Sequence, residues 1–442
     1  MKKYASYKDS GIEWIGEIPE HWRIKKLKNN AKIKTGYTPL TSDNNNFSND
    51  GMIWVKPDNL KSFEFITDSK EKVSALGVKE QNIISQGSIL LCCIGTIGKF
   101  GIAGTNLITN QQINSVTFGN DLINEYGKYL IFSCEKELNS LANGNVVRIL
   151  NTTSLGNIKF PIPPFSEQEY IFNYLDRKTS EIEILISNKQ RLIELLKEER
   201  TVIINNAVTK GINPDVKFKP SGIEWIGDVP EHWEVIPVKY LGTTQNGISE
   251  GAEYFGSGFP FVSYGDVYKN MELPKIVQGL ANSTEKDKLN FSVQKGDVFF
   301  TRTSETIEEI GLASTCFETI DNAVFAGFLI RFRPIKNLLF EGFSKYYFRS
   351  EIHRTFFIKE MNIVTRASLS QGLLKRLLVL LPDLKEQKEI SDFLDVKTKG
   401  IDTIISKTEK EIELLNEYKT ALISEVVTGK VDVREEVLAS AL

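Results

Sequence analysis

The chain has 442 residues, 41% hydrophobic and 25% charged, with a formal net charge of −3. This is ordinary for folded protein, long enough for two to four domains with a sizeable core; it supplies no overall attraction to nucleic acid but leaves room for a locally basic groove. No apolar run approaches the roughly 18 residues of a membrane span, and the start, MKKYASYKDSGIEW, lacks the apolar middle of an export signal, so a cytoplasmic chain with no membrane partner is expected.

In chain order, the first feature is SGIEWIGEIPEHW (Ser10 to Trp22). It returns as SGIEWIGDVPEHW (Ser221 to Trp233), changed only at Glu17/Asp228 and Ile18/Val229. Self-similarity at this scale sets the architecture. Lys26 to Pro39 (KLKNNAKIKTGYTP) lies over Val238 to Glu250 (VKYLGTTQNGISE), with Gly36 opposite Gly247. Gly51 to Leu60 (GMIWVKPDNL) lies over Gly258 to Val267 (GFPFVSYGDV), and Gln86 to Gly95 (QGSILLCCIG) over Lys295 to Ser304 (KGDVFFTRTS). The last pair is a glycine turn feeding an apolar run of strand length. Local helices are expected at Ile123 to Leu138 and at Phe340 to Phe356.

The longest repeat places Pro163 to Gly211 over Pro382 to Lys430 without a gap, at a constant offset of 219 residues. Ile182, Ile186, Lys189, Ile193, Leu196 and Ile203 recur at helical steps, and Ile401, Ile405, Thr408, Ile412, Leu415 and Leu422 repeat them. Proline with acidic or hydroxyl residues precedes each stripe, and TKG or TGK follows it, as start and stop signals. About 40 helical residues at about 1.5 Å each make a rod of about 60 Å. That is too long for one face of a compact domain, so the stripes are expected to pair as a coiled coil, with polar interruptions at Lys189 and Thr408 fixing register. The expected fold is α+β: two tandem α+β globules, each followed by a long helix.

Catalytic constellations are missing. There is no phosphate loop, nucleophile elbow or H-E-x-x-H. Cys92, Cys93, Cys134 and Cys316, with His21, His232 and His353, form no metal-ligand spacing and read as buried reduced thiols and scattered histidines. GTIGKFGIAG (Gly95 to Gly104) lacks the spacing of a nucleotide loop, and its partner region SETIEEIGLA has lost these glycines. IPPF (Ile162 to Phe165) is similar to the Asn-Pro-Pro-Phe motif of amino-directed DNA methyltransferases, but Ile162 cannot accept a hydrogen bond there. It reads as a proline-rich start to the long helix.

Recognition chemistry remains. Lys, Arg, Asn and Gln read base edges and hold phosphates, and at matched positions the frame agrees while such residues differ. Lys34-Thr35 becomes Gln245-Asn246, and Cys92-Cys93-Ile94 becomes Thr301-Arg302-Thr303. The DNA-binding candidates in the first half are Lys34, Thr35, Tyr37, Lys56, Asp58, Asn59, Lys99, Asn110, Gln111 and Gln112, with Asn114 beside them. In the second half they are Gln245, Asn246, Tyr264, Asp266, Arg302, Thr303 and Arg366. Each has a competing reading as a turn, cap or solvated-loop residue. Trp14, Trp22, Trp225 and Trp233 can stack on bases, but their shared setting favours packing.

Over essentially its whole length the chain resembles the specificity subunit of type I restriction-modification enzymes. The resemblance rests on the two copies of the opening phrase, on PIPPFSEQEYIFNYLDRKT and LPDLKEQKEISDFLDVKT leading into long helices, and on the glycine-led strand runs between them. It implies two target recognition domains, 1–160 and 212–380, each binding half of a split, asymmetric double-stranded DNA site. Segments 161–211 and 381–442 become spacer and docking regions, their helices paired as an antiparallel coiled coil with pseudo-twofold symmetry. It implies no catalytic residue, metal or cofactor in this chain. Two methyltransferase subunits carrying S-adenosylmethionine would methylate adenine at N6, and restriction subunits would bring ATP and magnesium. Two other readings stay open: a self-contained DNA methyltransferase or nuclease, and a coiled-coil interaction protein that never touches DNA.

Overall fold

The structure, a computed structural model, describes residues 2–119, 121–144, 147–304, 309–360 and 367–436. It divides into unit one, Met1–Lys189 with Lys410–Leu442, and unit two, Gln190–Glu409. Both divisions fall inside long helices.

Unit one begins with a hairpin of β1 (Tyr7–Asp9) and β2 (Glu17–Pro19), and β3 (Arg23–Lys26) pairs with β12 (Lys159–Ile162). Its main sheet runs β4 (Ala31–Thr35), β11 (Ile113–Phe118), β8 (Ile89–Cys92), β9 (Phe100–Ala103) and β6 (Phe65–Ile66). A second, smaller sheet sets β5 (Phe47–Val55) between β10 (Ile108–Thr109) and β7 (Lys72–Val73). Every residue of β8 is buried, which is why its sequence is an unbroken apolar run. Helices α1 (Asn124–Ser133), α2 (Glu135–Ser140) and α3 (Thr152–Asn157) precede the long α4 (Phe165–Lys210). Tyr126, Tyr129 and Leu130 of α1 share one core with Ile89, Val116 and Trp22.

Unit two repeats the plan. β13 (Phe218–Pro220) pairs with β14 (Asp228–Pro230), and β15 (Glu234–Pro237) with β25 (Leu378–Leu381). The main sheet runs β16 (Gly242–Asn246), β23 (Leu329–Pro334), β19 (Val298–Thr301) and β21 (Ala313–Thr315). The smaller sheet sets β17 (Phe255–Val262) between β18 (Gly279–Ala281) and β22 (Val324–Phe325), and β20 (Thr303–Ser304) pairs with β24 (Ala367–Ser368). Helices α5 (Val238–Leu241), α6 (Tyr264–Lys269), α7 (Glu285–Asn290), α8 (Glu341–Tyr347), α9 (Ile352–Glu360) and α10 (Gln371–Arg376) lead to the long α11 (Leu384–Val427).

The two local helices expected from sequence are each broken into two. Cys134, at φ −99° and ψ 15°, leaves helical geometry between α1 and α2. Residues 348–351 separate α8 from α9.

The long helices run antiparallel within each unit. In unit one, Lys419 pairs with Glu183 at 3.5 Å and Glu411 with Lys189, so rising numbers on α4 meet falling numbers on α11. In unit two, Arg200 Nε lies 3.0 Å from Asp402, while Ile204 and Val208 share a core with Ile390 and Leu394. None of the twelve stripe residues is exposed. Of the two polar interruptions, Lys189 makes the ion pair just described, and Thr408 is buried with its hydroxyl donating to the Ile404 carbonyl at 2.8 Å. Both helices end on a glycine, Gly211 or Gly429, at φ +75°, the left-handed stop that favours glycine. Among the described residues, no helix is long and apolar enough to cross a membrane.

Candidate nucleic-acid interface

In unit one the sequence candidates gather at one end of the sheets, where β4, β5, β8 and β10 finish and β9 and β11 start. The centre is a β-turn from Asn110 to Ile113, closed by Ile113 N–H donating to the Asn110 carbonyl at 3.2 Å. Three neighbouring backbones hold it. Gly36 N–H donates to the Ile113 carbonyl at 3.0 Å, Asn110 N–H to Val55 at 3.0 Å and Cys93 N–H to Gln112 at 2.8 Å. Gly36 approaches so closely that a Cβ there would lie 2.2 Å from the Asn110 carbonyl oxygen.

Side chains knit the same end. Thr35 donates to Asn114 Oδ1 at 2.8 Å, Asn110 Nδ2 to Gln112 Oε1 at 2.9 Å, and Thr38 to Gln111. Lys99 Nζ donates to the Pro57 carbonyl at 2.9 Å, and Lys56 pairs with Glu71 at 2.5 Å over the face of Trp54. Tyr37 is committed inward, its hydroxyl donating to Gly77 at 2.6 Å and accepting from Lys79 N–H. Lys34 Nζ donates to the Gln81 and Ile83 carbonyls, and Asn59 Oδ1 accepts from Lys56 N–H as a cap. Thr35, Asp58 and Gln111 face solvent.

The matching end of unit two uses the same backbone bonds. Leu329 N–H closes the turn onto Ala326 at 3.0 Å, Gly247 N–H donates to Leu329 at 3.3 Å, Ala326 N–H to Val262 at 3.0 Å and Arg302 N–H to Phe328 at 2.9 Å. Asn110-Gln111-Gln112 is thereby aligned with Ala326-Gly327-Phe328. Gln245 takes the place of Lys34, and the cation moves one strand across to Arg331. Arg331 Nη1 donates to the Ser292 carbonyl at 2.6 Å and Nη2 to Gln245 Oε1 at 2.5 Å, while burial pulls its pKa down to about 10.

Asp266 accepts from Ser263 N–H and hydroxyl at 2.8 and 2.7 Å and so caps α6, as Asn59 caps its own short turn. Tyr264 stacks on Tyr268 with centroids 5.8 Å apart. Asn246 Oδ1 is buried with no hydrogen-bond partner among the described residues. Arg302 Nη1 reaches the Gly327 carbonyl at 3.4 Å, and Thr303 lies in β20 opposite Ser368. Arg302 replaces Cys93, whose thiol burial pushes up to about 12, so a buried thiol in unit one gives way to a guanidinium in unit two. Arg366 lies outside the described residues.

Two features went unread in the sequence. Phe328 is 65% exposed at the tip of the second turn, detectable only once the triplets are aligned. The histidine of each opening phrase meets a glutamate in the first turn of a long helix: His21 Nε2 lies 2.6 Å from Glu167 Oε1, and His232 Nε2 lies 2.8 Å from Glu386 Oε2. The same glutamates accept from the Trp22 and Trp233 indoles, both at 2.9 Å, and Trp22 and Trp233 are fully buried. Trp14 and Trp225 are half-buried against the two cores. The phrase is a clip that fastens each globule to its helix. Among the described residues, no group of three His, Cys, Asp or Glu side chains is placed to hold a metal ion.

The family model for the type I restriction modification DNA specificity domain matches residues 19–195 and 230–414. The chain is 23% identical over 440 residues to the type I restriction enzyme MjaVIII specificity subunit of Methanocaldococcus jannaschii, covering 94% of each. It is 23% identical over 435 residues to the EcoKI specificity subunit of Escherichia coli strain K12, covering 94% of this chain and 90% of that one. Its fold matches the HsdS subunit from Thermoanaerobacter tengcongensis with a TM-score of 0.55 at 15% identity, over 94% of this chain and 98% of that one. A chain from a study of assembly and conformational transition in a type I R-M system matches with a TM-score of 0.67 at 15% identity, over 94% and 99%.

Proposed function

The chain belongs to the type I restriction-modification DNA specificity family, and on that premise we propose that it is the DNA-recognition subunit of such a complex and performs no chemistry itself. Residues 1–160 and 212–380 act as target recognition domains, each reading one half of an asymmetric, bipartite double-stranded site. Residues 161–211 and 381–442 space the two readers and dock two methyltransferase subunits, with restriction subunits joining for cleavage. S-adenosylmethionine, ATP and magnesium belong to those partners.

The observation that carries this reading is the pair of matched turns. The backbone around Asn110–Ile113 is repeated bond for bond around Ala326–Leu329, while amides in the first become alanine, glycine and phenylalanine in the second. Backbone held constant beneath changed side chains is what two readers of two different sequences require. A symmetric dimer reads a palindrome, whereas a duplicated chain with diverged readers reads an asymmetric site.

The test is single-molecule methylome sequencing of a host expressing this chain with its methyltransferase partner. One asymmetric motif of two half-sites separated by a fixed gap is expected, methylated at adenine N6; a palindromic or uninterrupted motif overturns the reading. Purified chain alone should transfer no label from S-adenosylmethionine to DNA, which separates it from a self-contained methyltransferase. The complex should retard DNA in low salt and release it steeply as salt rises, which a coiled-coil protein without DNA binding does not do.

A further inference from the structure

We propose that the turn at Ala326–Leu329 and the pocket beside it form a thymine-reading site, in which the C5 methyl of one thymine in the second half-site is received against Phe328. This rests on the reading above that the chain binds DNA.

The pocket, about 300 Å³, is walled mainly by the apolar Ile248, Phe255, Phe261, Ala326 and Phe328, with Tyr264, Ser249, Glu250 and Ser263 also on its lining. Phe328 stands at its rim 65% exposed. A large aromatic so exposed adds little to folding, yet the backbone that displays it is pinned. The Phe328 carbonyl accepts from Arg302 N–H at 2.9 Å, Gly327 N–H donates to Ile248 at 2.7 Å, and Leu329 N–H closes the turn. A rigid, exposed apolar tip beside an apolar recess is a preorganised contact surface.

Its position identifies the ligand. In unit one the corresponding tip presents Gln111 and Gln112 above Asn110, the amides that suit the adenine edge in the major groove. In unit two the same tip has no side-chain donor or acceptor at all. Among the four bases thymine alone presents a methyl group in the major groove, and apolar side chains are its partners there. Arg302, beside the turn, provides positive charge for the adjacent phosphate backbone.

The test uses the complex of this chain with its methyltransferase subunit. In cells, methylome sequencing of the Phe328→Ala variant should show one A·T position of the second half-site relaxed, with the first half-site and the gap unchanged. In vitro, each thymine on either strand of the second half-site is replaced in turn by deoxyuridine, which removes only the methyl. One replacement should weaken binding by about tenfold, and Phe328→Ala should lose that discrimination.

The proposal is overturned by a second half-site without an A·T pair, by wild-type binding indifferent to every replacement, or by an unchanged motif in the variant. It is equally overturned if Phe328→Ala weakens assembly with the methyltransferase subunit while the complex that still forms keeps its base preference, since Phe328 then contacts protein. If the wild-type complex methylates no bipartite site, the functional reading fails instead.

Discussion

Glu167 holds three rings at the start of α4. Its carboxylate accepts from Trp22 Nε1 at 2.9 Å and from the Tyr4 hydroxyl at 3.3 Å, and pairs with His21. Glu167→Ala leaves a fully buried indole N–H without an acceptor, and the expected cost is about 1–3 kcal/mol in urea unfolding of the whole chain. Glu167→Gln keeps an acceptor and should lose less; equal losses would remove the hydrogen bond as the cause. A second pair shows how one repeat compensates for the other. Ser88 and Thr117 share a hydrogen bond of 2.7 Å, where unit two has fully buried Asp297 held by Arg333 through two contacts of 2.6 Å. Asp297→Ala takes the counter-charge from a part-buried guanidinium whose remaining bonds go to Ser292, and is expected to cost about 3 kcal/mol. Asp297→Ser with Arg333→Thr, which installs the pair of unit one, should recover most of it in thermal unfolding. The result against this account is a double variant no more stable than Asp297→Ala.

In the spacer role proposed above, the long helices would turn local sequence into distance. Each added helical residue advances the rod by about 1.5 Å, and a base pair occupies about 3.4 Å along each strand. Four residues inserted between Ile182 and Ile203, with four in the facing stretch of α11, are expected to widen the gap between half-sites by about two base pairs. Both half-site sequences should stay as they were, and methylome sequencing reads both outcomes; a constant gap with altered half-sites refutes the spacer role. These helices were legible in the sequence because their period is local: the stripes from Ile182 and from Ile401 need only neighbours a turn away. The strand order around Ile89–Cys92 was not, since β8 pairs with β9 and with the more distant β11, choices that residues 89–92 alone do not encode. The candidate residues illustrate the same limit. Lys34 and Gln245 look like exchanged readers in sequence, yet each is tied to an internal carbonyl or guanidinium that only the folded sheets bring near. Phe328 looks like any core aromatic until the turn places it outside.

At the scale of the molecule, the duplication does not map onto the units one for one. The end of the second repeat completes unit one: Leu422, Ile423, Val426 and Val427 of α11 lie in the core that contains Trp22 and Tyr126. The Tyr126 hydroxyl donates to the Val427 carbonyl at 3.2 Å, and Asp432 N–H donates to the Lys2 carbonyl at 2.9 Å. Removing residues beyond Glu409 should therefore damage unit one, which lies mostly in the other repeat, and spare unit two. Hydrogen exchange followed by peptide is the measurement, with protection lost in residues 10–160 and kept in residues 240–335; the reverse pattern contradicts the assignment of cores.

That arrangement also orders events in time. Unit two is a continuous stretch of chain and can finish as soon as it leaves the ribosome, whereas unit one, made first, waits for the last turns of α11. At about 5–20 residues per second, the delay is on the order of ten to fifty seconds. During it, the core around Trp22 and Tyr126 lacks Leu422, Ile423, Val426 and Val427, and apolar surface that the finished unit buries stays in water.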